Sequence, residues 1–191
     1  MGAKGLGINL VLDTPNGPQS DEEYTRQCTE KLIEIFKIAR TKGIYEDRIM
    51  RKIRTFVTKN LHVNDCGGCG NQLVVTPEGR IGPCQAYLGS GKNFSLRLDD
   101  HPKPHEEEVF KEWAKRSPFS VESCHFCDAL GICGGGCAYN SALRYGTIWK
   151  MDERFCIHSK MILEWMIWDL WEQCEKGGEK DGREGIPSPT C

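Results

Sequence analysis

No stretch of this 191-residue sequence is apolar for long enough to cross a bilayer, which takes about 20 consecutive residues. Net charge is scarce too. Lys and Arg number 25 against 27 Asp and Glu, leaving −2, so no basic excess points to nucleic acid or an anionic membrane surface. The first residues hold one lysine and a short apolar run with no cleavage-like site, so no targeting segment is expected there. Met1-Gly2 would suit myristoylation, but Leu6 stands where that motif requires Ser or Thr. Gly5, Gly7 and the later glycines form no dinucleotide-binding fingerprint, and there is no internal repeat. These lacks lead to the expectation of a cytoplasmic protein without nucleic-acid or membrane partners.

Cysteine is what the chain has in excess. There are eleven, and eight fall between Cys66 and Cys156. In a cytoplasmic protein such a cluster points to metal rather than to disulfides, and an odd total would leave one thiol unpaired.

Residues 1–60 read as α/β. The run LGINLVL at 6–12 suits a buried parallel strand, and the 14–18 cluster TPNGP suits a turn. Ser20 with Glu23 makes a capping box for a helix carrying Tyr24, Cys28, Leu32, Ile35 and Ala39 at helical spacing, ended by Gly43. A second helix follows with Tyr45, Ile49, Ile53 and Phe56 on one face. One strand and two helices cannot bury their faces alone, so this segment is expected to close a larger α/β domain whose beginning is missing.

From Cys66 onward glycine and cysteine dominate. Segments 72–76 and 80–84 flank Pro77-Glu78-Gly79 as a hairpin, and 85–105 reads as loop. A helix over 106–116 would bury Val109, Phe110 and Trp113, and Glu106-Glu107-Glu108 suits its N-terminal dipole. Residues 118–137 read as ligand loop, and 138–145 as a short helix stopped by Gly146. Asp152 can cap a final helix to about Cys174. Its middle, MILEWMIWDLW, is wider than one amphipathic stripe, so Trp165, Trp168 and Trp171 should face a second surface as core packing. Residues 176–191 read as a disordered tail.

The cysteine spacing is the most specific signal. Cys66-x2-Cys69 is followed by x9, Gly79, x4 and Cys84; then come Cys124-x2-Cys127-x5-Cys133-x3-Cys137 and, after a gap, Cys156. Eight thiolates are what two four-iron cubanes need, at four each. Gly67, Gly68 and Gly70 around the first pair, and Gly134, Gly135 and Gly136 between Cys133 and Cys137, let backbone wrap closely and aim N–H groups at sulfur.

The run from Cys69 through Gly79, Cys84, Cys124, Cys127, Cys133 and Cys137 to Cys156 resembles the signature of the SPASM domain, the twin-cluster domain of radical SAM enzymes. The words TPEGRIGPC (76–84), LGICGGGCAY (130–139) and DERFC (152–156) also resemble radical SAM peptide maturases, and the likeness covers roughly residues 62–170. It implies an α+β architecture. Residues 1–60 would be the closing β-α piece of a partial (β/α) barrel, 61–175 an irregular SPASM domain with a β-hairpin and helices, and 176–191 a tail.

By that resemblance one 4Fe–4S cluster takes Cys66, Cys69, Cys84 and Cys137, and a second takes Cys124, Cys127, Cys133 and Cys156. Family members differ upstream of the first motif cysteine, and some leave an iron open there. The C-x3-C-x2-C loop that holds the cluster cleaving S-adenosylmethionine is nowhere in the sequence. The chain alone is therefore expected to be non-catalytic. Its implied partners are a radical SAM core, a peptide substrate and an external electron donor or acceptor.

Two readings stand beside this one. Two zinc ions could also use all eight thiols. A free-standing ferredoxin-like carrier is the other, although the bacterial run C-x2-C-x2-C-x3-C-P is absent. Cys28 is expected to be a buried core residue, Cys174 and Cys191 unbridged thiols, and His125 a solvated loop histidine.

Overall fold

Asp21 starts the first helix, α1 (Glu22–Thr41), by accepting the Tyr24 N–H on its carboxylate at 2.7 Å. The computed structural model describes residues 2–10, 13, 20–94, 96–97, 99–100 and 103–178. The capping box expected of Ser20 and Glu23 does not form. The Ser20 hydroxyl is taken up by Arg154 Nη1 at 2.7 Å, and the cap moves one residue on. The buried face of α1 is Thr25, Thr29, Leu32, Phe36 and Ala39, while Tyr24 and Ile35 of the expected stripe are exposed. Two threonines fit this face because their hydroxyls bond back to Asp21 O (2.9 Å) and Thr25 O (2.7 Å).

The chain leaves α1 through Gly43, at φ +66°, and forms a parallel pair: β1 (Gly5–Leu6), at the start of the run expected as a buried parallel strand but only half-buried at Leu6, beside β2 (Tyr45–Glu46), which was not expected, with α1 as the crossover. The expected strand over 6–12 is thus shorter. Residues 11–12 and the turn cluster at 14–18 lie outside the described residues. The Glu46 carboxylate accepts the N–H groups of Arg48 and Ile49 and so caps α2 (Asp47–Thr58). Of the expected α2 face, Ile49 is buried and Ile53 half-buried, whereas Tyr45 and Phe56 are exposed.

The cysteine-rich part holds the hairpin β3 (Val74–Val75) and β4 (Arg80–Gly82), turning at Gly79 with φ +77°. A third antiparallel strand, β5 (Leu96–Arg97), and 3₁₀ turns at Gln85–Tyr87 and Pro104–Glu106 occupy the segment read as loop. Helix α3 (Glu108–Lys115) buries Trp113 and leaves Val109 and Phe110 half-buried. Within the ligand loop lies α4 (Leu130–Cys133). Then α5 (Ala138–Tyr145) ends at Gly146, φ +72°, as expected.

Helix α6 (Glu153–Gly178) runs past Cys174, and residues 179–191, with Cys191 and most of the expected tail, lie outside the described residues. It packs on α1 through Leu32, Phe36 and Ile162, with Trp165 edge-on to Phe36 at 5.5 Å. Arg40 clamps Asp169 across the helices with bonds of 2.6 and 2.9 Å. Trp168 and Trp171 are 61% and 55% exposed, so of the three tryptophans expected to face a second surface only Trp165 is packed. The whole is a mixed helix and sheet fold. Among the described residues no helix is long and apolar enough to cross a membrane.

Arg154 ties the start of α6 to the N-terminal segment. Fully buried, it donates to Asp152 at 2.6 and 2.9 Å and to Asp13 at 2.7 Å. Those carboxylates hold the guanidinium protonated well beyond its ordinary range, the Asp152 hydrogen bonds most of all. Replacing it by Met should leave two buried carboxylates unpaired and cost about 3–5 kcal/mol, read as a lower urea midpoint. An unchanged midpoint would mean that the pair is solvated.

Candidate metal centres

Three different kinds of local structure present the first group of thiols. Cys66 and Cys69 sit on one turn, closed by Cys69 N–H to Cys66 O at 3.1 Å. Cys84 follows β4, and Cys137 caps the N-terminus of α5. The buried thiols of this group have one another as electrostatic neighbours: Cys84 feels Cys137, Cys66 and Cys69, and both Cys137 and Cys69 feel Cys66. Burial pushes Cys84 up to about 11 and lifts Cys69 and Cys137 as well. Tyr87 and Trp113 wall the group, packed on Cys69 and Cys84.

The second group comes from Cys124 at the end of a 3₁₀ turn, Cys127 three residues on, Cys133 closing α4 and Cys156 in the first turn of α6. All four line one pocket, walled by Pro118, Leu130, Met151 and Phe155. Cys156 feels Cys133, Cys124 and Cys127, and Cys124 feels Cys133 and Cys127. Burial pushes Cys156 up to about 12 and raises Cys124.

These are the two foursomes that the resemblance names. Cys133 and Cys137, four residues apart, fall into different groups. The intervening glycines make that possible: Gly134, Gly135 and Gly136 all have φ between +62° and +77°. A Cβ on Gly134 would meet Asp65 N at 2.5 Å, and one on Gly136 would meet the Phe155 ring at 2.6 Å. The close approach at Gly134 is sealed by Asp65 N–H to Gly134 O at 2.7 Å, which docks the Cys66 turn on the Cys133 loop. The donors that reach sulfur include Gly68 N–H to Cys66 and Ser159 Oγ to Cys133, both at 3.4 Å.

The donor chemistry fits a thiolate-ligated cluster in both places: four thiols, apolar walls and backbone brought close by glycine. Metal uptake by such raised thiols must release protons, so acid opposes it. Among the described residues no three His, Cys, Asp or Glu side chains converge as a site for one ion, and none of the ten described cysteines is in a disulfide.

Several charged residues around the groups carry no signal in the sequence. Lys52 is buried, donating from Nζ to Ile132 O (3.2 Å) and Cys133 O (3.4 Å). Asp65 bonds Arg48 at 3.0 Å. Burial opposes its charge, but the His62 imidazole and the cations Lys52, Arg48 and Arg51 hold the carboxyl well below its ordinary range. Buried His158 is pushed down to about 3 by desolvation, with Lys52 and Arg48 adding to the effect; its Nδ1 meets Thr29 Oγ1 at 2.9 Å. The Thr29 hydroxyl already donates to Thr25 O, so His158 is the donor. Arg116 is buried among both groups of cysteines. Ser159 was the one neighbour within reach of a pattern argument, one helical turn beyond Cys156.

The remaining expectations divide. His125 is an exposed loop histidine, its Nε2 3.3 Å from Phe119 O. Cys28 is only half-buried and lines an open groove with Ile8, Tyr24 and Leu32, because nothing among the described residues covers that side of α1. Cys174 is exposed. In comparisons with known proteins, no family model matches this chain and no curated protein matches it.

Proposed function

We propose that the chain holds two 4Fe–4S clusters and serves as the auxiliary-cluster domain of a radical SAM enzyme that modifies a peptide. The observation that carries this reading is the sorting of eight thiols into two foursomes that interleave along the chain. Each foursome offers one thiolate per iron of a cubane. An interleaved pair also explains the glycine run, since Cys133 and Cys137 must point away from each other across three residues.

The N-terminal part supports the barrel reading. A parallel strand pair bridged by a helix is the repeating unit of a (β/α) barrel. The groove of about 520 Å³ beside Ile8, Leu10, Tyr24 and Ile35 is the face that further strands and helices of such a barrel would cover. The core with its C-x3-C-x2-C loop would then lie on another segment or another chain. When bound, the clusters supply one-electron transfer, accepting the electron released as product forms, or a binding point for substrate. This chain's residues exclude water from them through Tyr87, Trp113, Met151 and Phe155, and set their potential through nearby donors and charges.

The division of labour has a direct test. Anaerobically reconstituted chain, incubated with S-adenosylmethionine and a strong reductant, should form no more 5′-deoxyadenosine than a cluster-free control. Formation well above that control would make one of the eight-cysteine sites catalytic and refute the assignment.

A further inference from the structure

Arg116 is 1% exposed, at the end of α3, and its guanidinium reaches into both cysteine neighbourhoods. Nη1 donates to Gly136 O at 3.2 Å, the carbonyl just before Cys137. Nη2 donates to Ser141 Oγ at 3.2 Å, whose hydroxyl in turn reaches Cys137 O at 3.2 Å. Nη2 also lies 3.5 Å from Met151 Sδ, and Met151 packs with Cys124 and Cys156 on the other side. Nε donates to Ile148 O at 2.6 Å, and Ile148 belongs to the apolar cluster of Cys69 and Cys84.

All these acceptors are neutral. Among the described residues no carboxylate pairs with Arg116, in contrast with Arg154, which has two. A buried guanidinium without a counter-charge is costly. Cysteines of both groups lie beside it instead: its guanidinium is within hydrogen-bonding reach of Cys69, and its bonds to Gly136 O and Met151 place it next to Cys137 on one side and Cys124 on the other.

We infer that Arg116 is the shared counter-charge of both cysteine foursomes, a positioning residue whose single buried cation stabilises two anionic clusters and raises the reduction potential of each. The inference rests on the two-cluster reading. A cubane with four thiolates carries net negative charge, and gaining an electron makes it more negative. A fixed cation at the boundary favours the reduced state on either side, and it couples the two: reducing one cluster uses part of the field that the other feels.

The test compares the wild-type chain with Arg116→Lys, which keeps the charge, and Arg116→Met, which keeps the bulk. Each is reconstituted anaerobically, assayed for iron, and titrated potentiometrically with electron paramagnetic resonance as the readout. Arg116→Met should lower the potentials of both clusters, or lose iron from both, while Arg116→Lys stays near wild type in iron and potential. Equal loss of iron from the two variants would mean that the hydrogen-bond fork, not the charge, holds the site, and would overturn the inference. So would a shift confined to one cluster, or none. A wild-type chain that takes up no clusters would instead refute the reading beneath it, and the inference with it.

Discussion

Cys133→Ala and Cys137→Ala should each abolish one cluster, and not the same one. The two residues are four apart, and in a simple sequential motif they would share a site. Here Cys133 lies among Cys124, Cys127 and Cys156 in a common pocket, and Cys137 lies with Cys84 and Cys66 beneath Tyr87. Anaerobically reconstituted Cys133→Ala should keep about half the iron and the signal of the cluster at Cys66, Cys69, Cys84 and Cys137. Cys137→Ala should keep the other half. Each lost cluster should also loosen its own loops, since ligation supplies folding free energy. Spectra showing that both substitutions remove the same cluster would overturn the interleaved arrangement.

Gly134→Ala should be far more damaging than Gly146→Ala, although both glycines have φ +72°. The shared term is the left-handed backbone, worth about 1–2 kcal/mol for a residue with a Cβ. At Gly146 that is all, because the new methyl meets nothing within 4 Å. At Gly134 it would also meet Asp65 N at 2.5 Å and Asp65 Cα at 2.8 Å, backbone atoms that cannot swing aside. Forcing them apart adds about 1–3 kcal/mol of overpacking and breaks the Asp65–Gly134 bond. Because that contact joins the Cys66 turn to the Cys133 loop, the expected result is reduced iron in both sites together with a lower thermal midpoint. Gly146→Ala should keep full iron. Equal effects of the two substitutions would show that the backbone at 134 yields freely.

What could be read in the sequence was whatever depends on near neighbours. Pro77-Glu78-Gly79 turned where a tight hairpin needs φ > 0, Gly146 stopped α5, and Gly43 ended α1. The two foursomes came from the family resemblance, not from spacing; in the fold Cys84 has Cys66, Cys69 and Cys137 as neighbours, while Cys124, Cys127, Cys133 and Cys156 line one pocket. What could not be read depends on distant partners. Asp21 rather than Ser20 caps α1 because Arg154, more than a hundred residues later, takes the Ser20 hydroxyl. The stripe on α1 shifts to Thr25 and Thr29 because α6 supplies His158 opposite them. Strand pairs as short as β1–β2 and β4–β5 carry too little periodicity to be seen. Buried Lys52, Arg116 and Arg154 look in sequence like any surface cation. Only the fold shows that Lys52 and Arg116 donate to backbone carbonyls beside the thiol sites, and that Arg154 is held by the carboxylates of Asp152 and Asp13.

The clusters themselves are the centre of this account, and one measurement reaches them most directly: iron and acid-labile sulfide per chain in anaerobically reconstituted protein, with spectroscopy of the reduced sample. Two cubanes predict about eight iron and eight sulfide, a brown chain, and two distinguishable reduced-cluster signals. A colourless, folded chain that holds stoichiometric zinc and takes up no iron would contradict it.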